Sequence, residues 1–275
     1  MKKIFCFIYT ALFSLTIYAN DCATYYIKKD YDNALLACEK QAKQGDGKAQ
    51  LNLAFMYDEG MAVAVNKEKA LFWYTKAAEQ GHYKAQFSLG LMYYEGDGVE
   101  VNKEKALIWF TRAAEQGIDS AQYNLGLMYY EGDGVEVDKE KALFWFTRAA
   151  KQGVAYAQNN LGAMYKNGDG VEVNKEKALF WFKKAADQGD NNAMNNLAIM
   201  YYEGDGVKID HAKALFWFKK AADQGDTNAM NNLAIMYYEG DGVKIDYAKA
   251  LFWFKKAADQ GDTNAMNNLA IMYYE

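Results

Sequence analysis

The chain is predicted to be an all-α solenoid of antiparallel helix pairs on a 36-residue repeat, and three observations carry that prediction. All six tryptophans, Trp73, Trp109, Trp145, Trp181, Trp217 and Trp253, lie 36 residues apart, and such a period marks a repeat array. Two helical patterns alternate inside each period. The chain has no proline and 22 glycines, so its helices are ended by glycine and never interrupted by proline. At 51% hydrophobic and 24% charged residues it has the apolar surface to bury a core, which excludes a disordered polymer.

Residues 1–19 form a separate unit. Lys2 and Lys3 precede an uncharged, mostly apolar run from Ile4 to Ala19, and the chain turns polar at Asn20 and Asp21. This is the layout of a secretory signal peptide cleaved after Ala19, with Ile17 at the −3 position. The run is shorter than the roughly 20 residues a spanning helix needs. Cys22 follows Ala-Asn-Asp, which is not a lipoprotein-type box. The mature protein is therefore expected to be exported, periplasmic or secreted, with no membrane span.

Residues 20–45 read as an N-terminal capping hairpin. "DCATYYIKK" (21–29) is a short helix, the turn falls near Asp30, and "YDNALLACEKQAKQG" (31–45) is a degenerate copy of the second helix of the repeat. Cys38 occupies the core-facing position of Tyr74 and Phe110. Cys22 and Cys38 lie equally far from the turn, so an antiparallel pair sets them side by side at disulfide distance. Export permits oxidation. The bridge would close a loop of about 15 residues and stabilise the thin cap by up to about 3 kcal/mol.

Residues 46–275 hold six full repeats and a final unpaired helix. The first helix of a repeat, "DSAQYNLGLMYYEG" (119–132), sets Ala121, Leu125, Met128 and Tyr129 at helical spacing. We call it the Leu-Gly helix. The second, "KEKALIWFTRAAEQG" (103–117), sets Ala106, Phe110, Ala113 and Ala114 in the same phase, and we call it the Lys-Ala-Leu helix. Asn102, Asp138, Asp226 and Asp262 stand where N-caps are needed. Gly117 and Gly132 stand where a left-handed cap is needed. Small residues at Ala121 and Gly126 let two helix backbones approach closely.

The strings Ala-Gln-Tyr-Asn-Leu-Gly-Leu-Met-Tyr (121–129), Gly-Asp-Gly-Val (132–135), Lys-Ala-Leu-Phe-Trp-Phe (141–146) and Ala-Ala-Lys-Gln-Gly (149–153) closely resemble the Sel-one-like repeat. That family is related to the tetratricopeptide repeat, and the resemblance covers roughly residues 31–275. It implies a right-handed α-solenoid superhelix that serves mainly as an interaction scaffold, with no enzymatic activity defining the family. Some cysteine-rich secreted relatives bind penicillins and carry a β-lactamase label. They have a cysteine pair in each repeat, which this chain lacks.

Two rows of residues are candidate binding surfaces. The first is Asn52, Asn124, Asn160, Asn196, Asn232 and Asn268, each just before the Leu of a Leu-Gly helix, with Ser88 as the exception. In the related superhelices asparagines at this position face a concave groove and can grip a peptide backbone, a task suited to an amide with two donors and one acceptor. The alternative is that each amide bonds its neighbours. On the same face lie Leu127, Ile199 and Ile235, then Glu131, Glu203 and Glu239, with Tyr130, Tyr202 and Tyr238 at its margin. The second row is Phe72, Ile108, Phe144, Phe180, Phe216 and Phe252 in the recurring "ALFWF". Position 108 points about 180° from Ala106, Phe110 and Ala113, where the family usually carries a polar residue. Leu143, Trp145 and Phe146 are expected at or beside the core. The row is expected either to form an apolar stripe on the outer wall, suited to a partner, a membrane surface or self-association, or to fold onto the adjacent repeat.

Other chemistries find little support. The "EGDG" loops offer two carboxylates each, far from the six or more oxygens calcium takes. None of Ser14, Ser88 and Ser120 is followed by Lys three residues on, and His82 and His211 lack metal-ligand companions. No catalytic residue, metal or cofactor is expected. A net charge of −5 with Lys and Glu interleaved gives no nucleic-acid footprint. The expected function is binding of a protein or peptide through the groove. The rivals are penicillin hydrolysis and a self-associating envelope protein. Residues 207–239 and 243–275 differ only at His211 against Tyr247, so Leu269 and Met272 of the last helix repeat an internal, core-facing pattern. A sticky end is expected there, from truncation or for docking.

Overall fold

A computed structural model describes residues 21–274. The leader expected over 1–19 lies outside the described residues. Among these residues there are helices and no strands. The chain divides into two compact units, one up to Val137 and one from Asp138. The N-terminal unit holds α1 (Cys22–Ile27), α2 (Tyr31–Lys43), α3 (Gly47–Glu59), α4 (Lys67–Glu79), α5 (Tyr83–Glu95), α6 (Lys103–Glu115) and α7 (Asp119–Glu131). The C-terminal unit holds α8 (Lys139–Lys151), α9 (Ala155–Asn167), α10 (Lys175–Asp187), α11 (Asn191–Glu203), α12 (His211–Asp223), α13 (Thr227–Glu239), α14 (Tyr247–Ala258) and α15 (Thr263–Tyr274). From α3 onward Leu-Gly and Lys-Ala-Leu helices alternate, and consecutive helices pack on each other within each unit.

The helix ends are set by local chemistry. Every Lys-Ala-Leu helix starts behind an Asn or Asp whose carboxyl or amide oxygen accepts the N–H three residues on, as Asn102 does from Lys105 and Asp138 from Lys141. Asp226 and Asp262 cap α13 and α15 in the same way, at 2.7 Å. Three Leu-Gly helices start without such a cap, behind His82, Ile118 and Val154. Each Leu-Gly helix before the last ends on a glycine in the left-handed region, such as Gly132 at φ 79°.

The core of each repeat is narrow. Ala106, Phe110, Ala113 and Ala114 of α6 are fully buried, as are Ala121, Leu125 and Met128 of α7. Gly90 lies against the ring of Phe110, where an added Cβ would collide with it. Buried glutamines tie the pairs together. Gln122 Nε2 donates to the Ala114 carbonyl and Gln86 Nε2 to the Ala78 carbonyl, each a carbonyl in the last turn of a helix that also accepts a backbone N–H. Gln116 in turn donates to Gln86 at 2.7 Å.

"ALFWF" divides more sharply than expected. Its alanine and second phenylalanine are buried, its leucine is half-buried, and its tryptophan is half-buried everywhere except at Trp145. The indole is too far round the helix to reach the core seam, so most of the motif is flank.

Cys22 and Cys38 form a disulfide with Cα atoms 4.5 Å apart, both buried. This is nearer than the usual separation of about 5.5–6 Å but inside the allowed range. Asp30 caps α2, and Lys29 before it takes φ 58° to reverse the chain. At the other end of the described residues, Leu269 and Met272 of α15 are half-buried, where their counterparts Leu233 and Met236 in α13 are fully buried. Leu269 and Met272 pack against the core cluster of the C-terminal unit. Met266, Ile271, Tyr273 and Tyr274 of the same helix stand exposed.

Candidate functional site

One cleft design recurs along the Leu-Gly helices. In the C-terminal unit, α11 contributes Ile199, Tyr202 and Glu203, which share one helix face at i, i+3 and i+4. α13 contributes Asn232 and Ile235, and the buried ring of Phe218 from α12 also lines the cleft, whose volume is about 180 Å³. One repeat on, Ile235, Tyr238, Glu239, Asn268, Ile271, Met272 and Phe254 line a cleft of about 210 Å³. In the N-terminal unit, Leu91, Tyr94 and Glu95 of α5, Asn124 and Leu127 of α7 and Phe110 of α6 line one of about 120 Å³. Each cleft combines apolar walls, one amide, one phenol and one carboxylate, the composition of a small binding site.

Asn124, Asn232 and Asn268 of the asparagine row line these clefts, and several members of the row are engaged by neighbours. Asn196 Nδ2 donates to Asn159 Oδ1 at 3.1 Å, Asn232 to Asn195 at 3.2 Å and Asn268 to Asn231 at 2.9 Å. Asn52 Nδ2 lies 3.5 Å from Cys22 Sγ. Four of the six amides thus have a bond to a neighbouring side chain. A primary amide has a second N–H and two acceptor lone pairs, so these bonds leave it capacity for a ligand.

The phenols are held by a ladder between repeats that the sequence reasoning missed. Tyr202 Oη donates to Asp241 Oδ2 at 2.7 Å and lies 3.3 Å from Glu239 Oε2. Burial, then the bond to Asp241, pushes its pKa far above the ordinary range. Burial followed by Asp133 pushes Tyr94 up to about 12. The aspartates come from the "EGDG" loops, and each meets the first residue of a Lys-Ala-Leu helix one repeat back. Lys67 pairs with Asp97 at 2.8 Å, Lys103 with Asp133 at 3.1 Å and Lys175 with Asp205 at 3.1 Å. His211 stacks on Tyr202 with ring centres 5.1 Å apart and lies 3.7 Å from Asp241. The second loop glycine, Gly98 or Gly134, packs on the backbone and Cβ of that same lysine. The loops are therefore built to grip the preceding repeat. The signal was visible in the sequence as a Lys-to-Asp offset of 30 residues.

The outer stripe is exposed. Phe72, Ile108, Phe144, Phe180, Phe216 and Phe252 are between 49% and 58% exposed. Each phenylalanine rests edge-on against its own neighbouring tryptophan, as Phe180 on Trp181 at 5.0 Å. A cation on the next turn covers several rings, Arg148 at 4.6 Å from Phe144 and Lys184 at 4.9 Å from Phe180. Among the described residues no group of His, Cys, Asp and Glu is arranged to hold a metal ion. No described helix is long and apolar enough to cross a membrane.

Paired antiparallel helices in register, repeated with interchangeable clefts, define an α-solenoid of the scaffold type. The model of the Sel1 repeat matches residues 47–82, 84–118, 119–154, 155–190, 191–226, 227–262 and 263–275, and the chain belongs to the Sel1 repeat family. It is similar to a protective antigen of uropathogenic Escherichia coli strains displaying an SLR fold, at 39% identity and TM-score 0.80, over 86% of this chain and 51% of that one. It thus spans about half the length of that antigen. A Sel1 repeat protein from Oxalobacter formigenes is similar at 34% identity and TM-score 0.73, over 86% of this chain and 94% of that one. None of the curated proteins matches the chain.

Proposed function

We propose that this protein is an exported, non-enzymatic scaffold that binds an extended segment of a partner protein along its cleft-bearing face. The observation that carries this reading is the recurrence of one cleft design, with the same positions in the same roles, at three repeat junctions. Clefts at successive Leu-Gly helices of one unit suit a chain that is itself regular, and an extended peptide offers a backbone N–H or C=O for each amide to meet. Export draws support from the leader pattern of residues 1–19 and from the Cys22–Cys38 bond. The layout we propose is a leader over 1–19, a capping hairpin over 20–45 and repeats over 46–275.

Selection of displayed random peptides on the immobilised mature protein tests the groove. Peptides should be enriched, and their binding should weaken in Asn124→Ala/Asn232→Ala/Asn268→Ala by about 0.5–1.5 kcal/mol for each bond lost. Helicity should change little. Unchanged affinity in that triple variant would sink the groove reading, and turnover of nitrocefin by the wild-type protein would replace it with the hydrolase.

A further inference from the structure

We infer that the clefts select basic side chains, so that the partner segment presents Lys or Arg to this face. The inference rests on the proposed groove function and specifies its ligand chemistry.

The charge balance of the clefts points one way. Glu203 stands at the first C-terminal cleft, Glu239 at the next and Glu95 at the N-terminal one, all three exposed. No cation is among the residues that line the three clefts, and the one set beside them, Lys103, lies over the ring of Tyr94 at 3.1 Å with its charge paired to Asp133. The lysines that open the Lys-Ala-Leu helices are committed to the ladder: Lys67 to Asp58 and Asp97, Lys103 to Asp133, Lys175 to Asp205. Glu95 and Glu203 have no ion-pair partner among the described residues. Each cleft therefore carries one uncompensated negative charge beside an apolar wall.

The hydrogen-bonding balance agrees. The Tyr202 hydroxyl spends its proton on Asp241, so toward a ligand its oxygen can only accept. Glu203 can only accept. Asn232 has one N–H committed to Asn195. A rim rich in acceptors is complemented by side chains that only donate, and Lys and Arg are the two that carry no acceptor. Their alkyl stems suit the rest of the cleft. Ile199, Ile235 and Phe218 offer apolar surface to the methylenes while the head reaches the carboxylate. An acidic side chain would meet Glu203 in repulsion, and a plain aliphatic one would leave the acceptors to water.

The repeat headed by α9 sharpens the inference by departing from the pattern. Ala163, Lys166 and Asn167 stand there in place of Ile199, Tyr202 and Glu203. The carboxylate is replaced by an amide and a cation is added. Recognition of basic side chains belongs to the clefts of α11 with α13 and α13 with α15, and to that of α5 with α7.

Fluorescence polarisation of the mature protein with labelled peptides of about twelve residues, alternating Ala with Lys, Gln or Glu, tests this. The Lys peptide should bind about tenfold tighter than the Gln peptide, and the Glu peptide weakest. Glu95→Gln/Glu203→Gln/Glu239→Gln should weaken the Lys peptide at least about fivefold at unchanged helicity. Glu104→Gln/Glu140→Gln/Glu176→Gln removes the same charge from the Lys-Ala-Leu helices and should cost less than about twofold. Equal losses in the two triple variants would mean bulk attraction to an acidic protein and overturn the inference. Equal binding of the Lys and Gln peptides would overturn it as well, while leaving the groove reading intact. Binding of the Lys peptide that ignores both the Asn124→Ala/Asn232→Ala/Asn268→Ala triple and the cleft glutamates would overturn both readings.

Discussion

Helices α13 and α15 share the sequence "TNAMNNLAIMYY" and differ in their neighbours. In α13, Met230, Leu233, Ala234 and Met236 are fully buried and Tyr237 nearly so, because a Lys-Ala-Leu helix packs on each side. In α15 only Ala265 is buried, while Met266, Ile271 and Tyr273 stand exposed. The same residues thus do different energetic work. A repeat buries its apolar face only where the next repeat supplies a surface, so burial in this fold is a property of the junction. The cleft follows the same logic. Asn268 and Ile271 of α15 line one cleft, whereas α13 lines two, one with each neighbouring Leu-Gly helix.

The largest effect expected from this comparison is the unequal cost of one substitution. Leu233→Ala should destabilise the C-terminal unit by about 2–5 kcal/mol, the cost of a cavity in a packed core. Leu269→Ala should cost less than about 1.5 kcal/mol, since its surroundings are partly solvent. Urea unfolding followed by circular dichroism measures both, and equal losses would break the comparison.

A second measurement sets the two ends of the described chain side by side. The N-terminal hairpin is thin, yet its Cys22–Cys38 bond ties α1 to α2, and α1 also packs on α3, whereas among the described residues α15 carries no disulfide. Amide hydrogen exchange should be slower in α2 than in α15. Cys22→Ser/Cys38→Ser should remove up to about 3 kcal/mol of protection from α1 and α2 and leave α15 unchanged. Fast exchange in α2 with the disulfide intact would contradict the clamp.

The smallest effect concerns the caps of the two helices. Burial raises the pKa of Asp226 at the start of α13, opposed by the N–H bond from Ala229 and assisted by the nearby Asp262 charge. A carboxyl with a raised folded pKa binds more protons in the native than in the unfolded state. Its contribution is therefore fully present below the ordinary carboxylate value of about 4 and is lost as pH rises through the raised value. Asp226→Asn keeps an N-cap and removes the titration. The variant should show a flatter decline of stability just above the ordinary carboxylate range, with a difference smaller than either effect above. Identical pH profiles for the variant and the wild type would refute the assignment.

Much of this molecule was legible in advance because its information is local and repeated. Caps at Asn102 and Asp226 and glycine ends at Gly132 follow from single residues against the backbone. Cys22 beside Cys38 follows from counting outward from a turn. The ladder of Lys103, Asp133 and Tyr94 was not legible as a contact, since its members lie in different repeats and meet only once the stack has a definite rise and rotation. Nor could the burial of Trp145 among half-buried equivalents such as Trp181 be read, because the edge of a core stripe depends on how far the next helix reaches.

By itself the sequence determined the all-α class, the 36-residue unit, the pairing of helices and the face each helix buries, since these depend on spacing and on chemistry within a turn or two of chain. Only the tertiary structure decided which Asn amides are committed to neighbours, where the clefts open, and which carboxylates are left without a cation. Those outcomes depend on distances of a few ångströms between side chains about 30 residues apart in the chain. The physical reason is that hydrogen bonds and ion pairs fade over such distances, while a helical period persists however the helices are stacked.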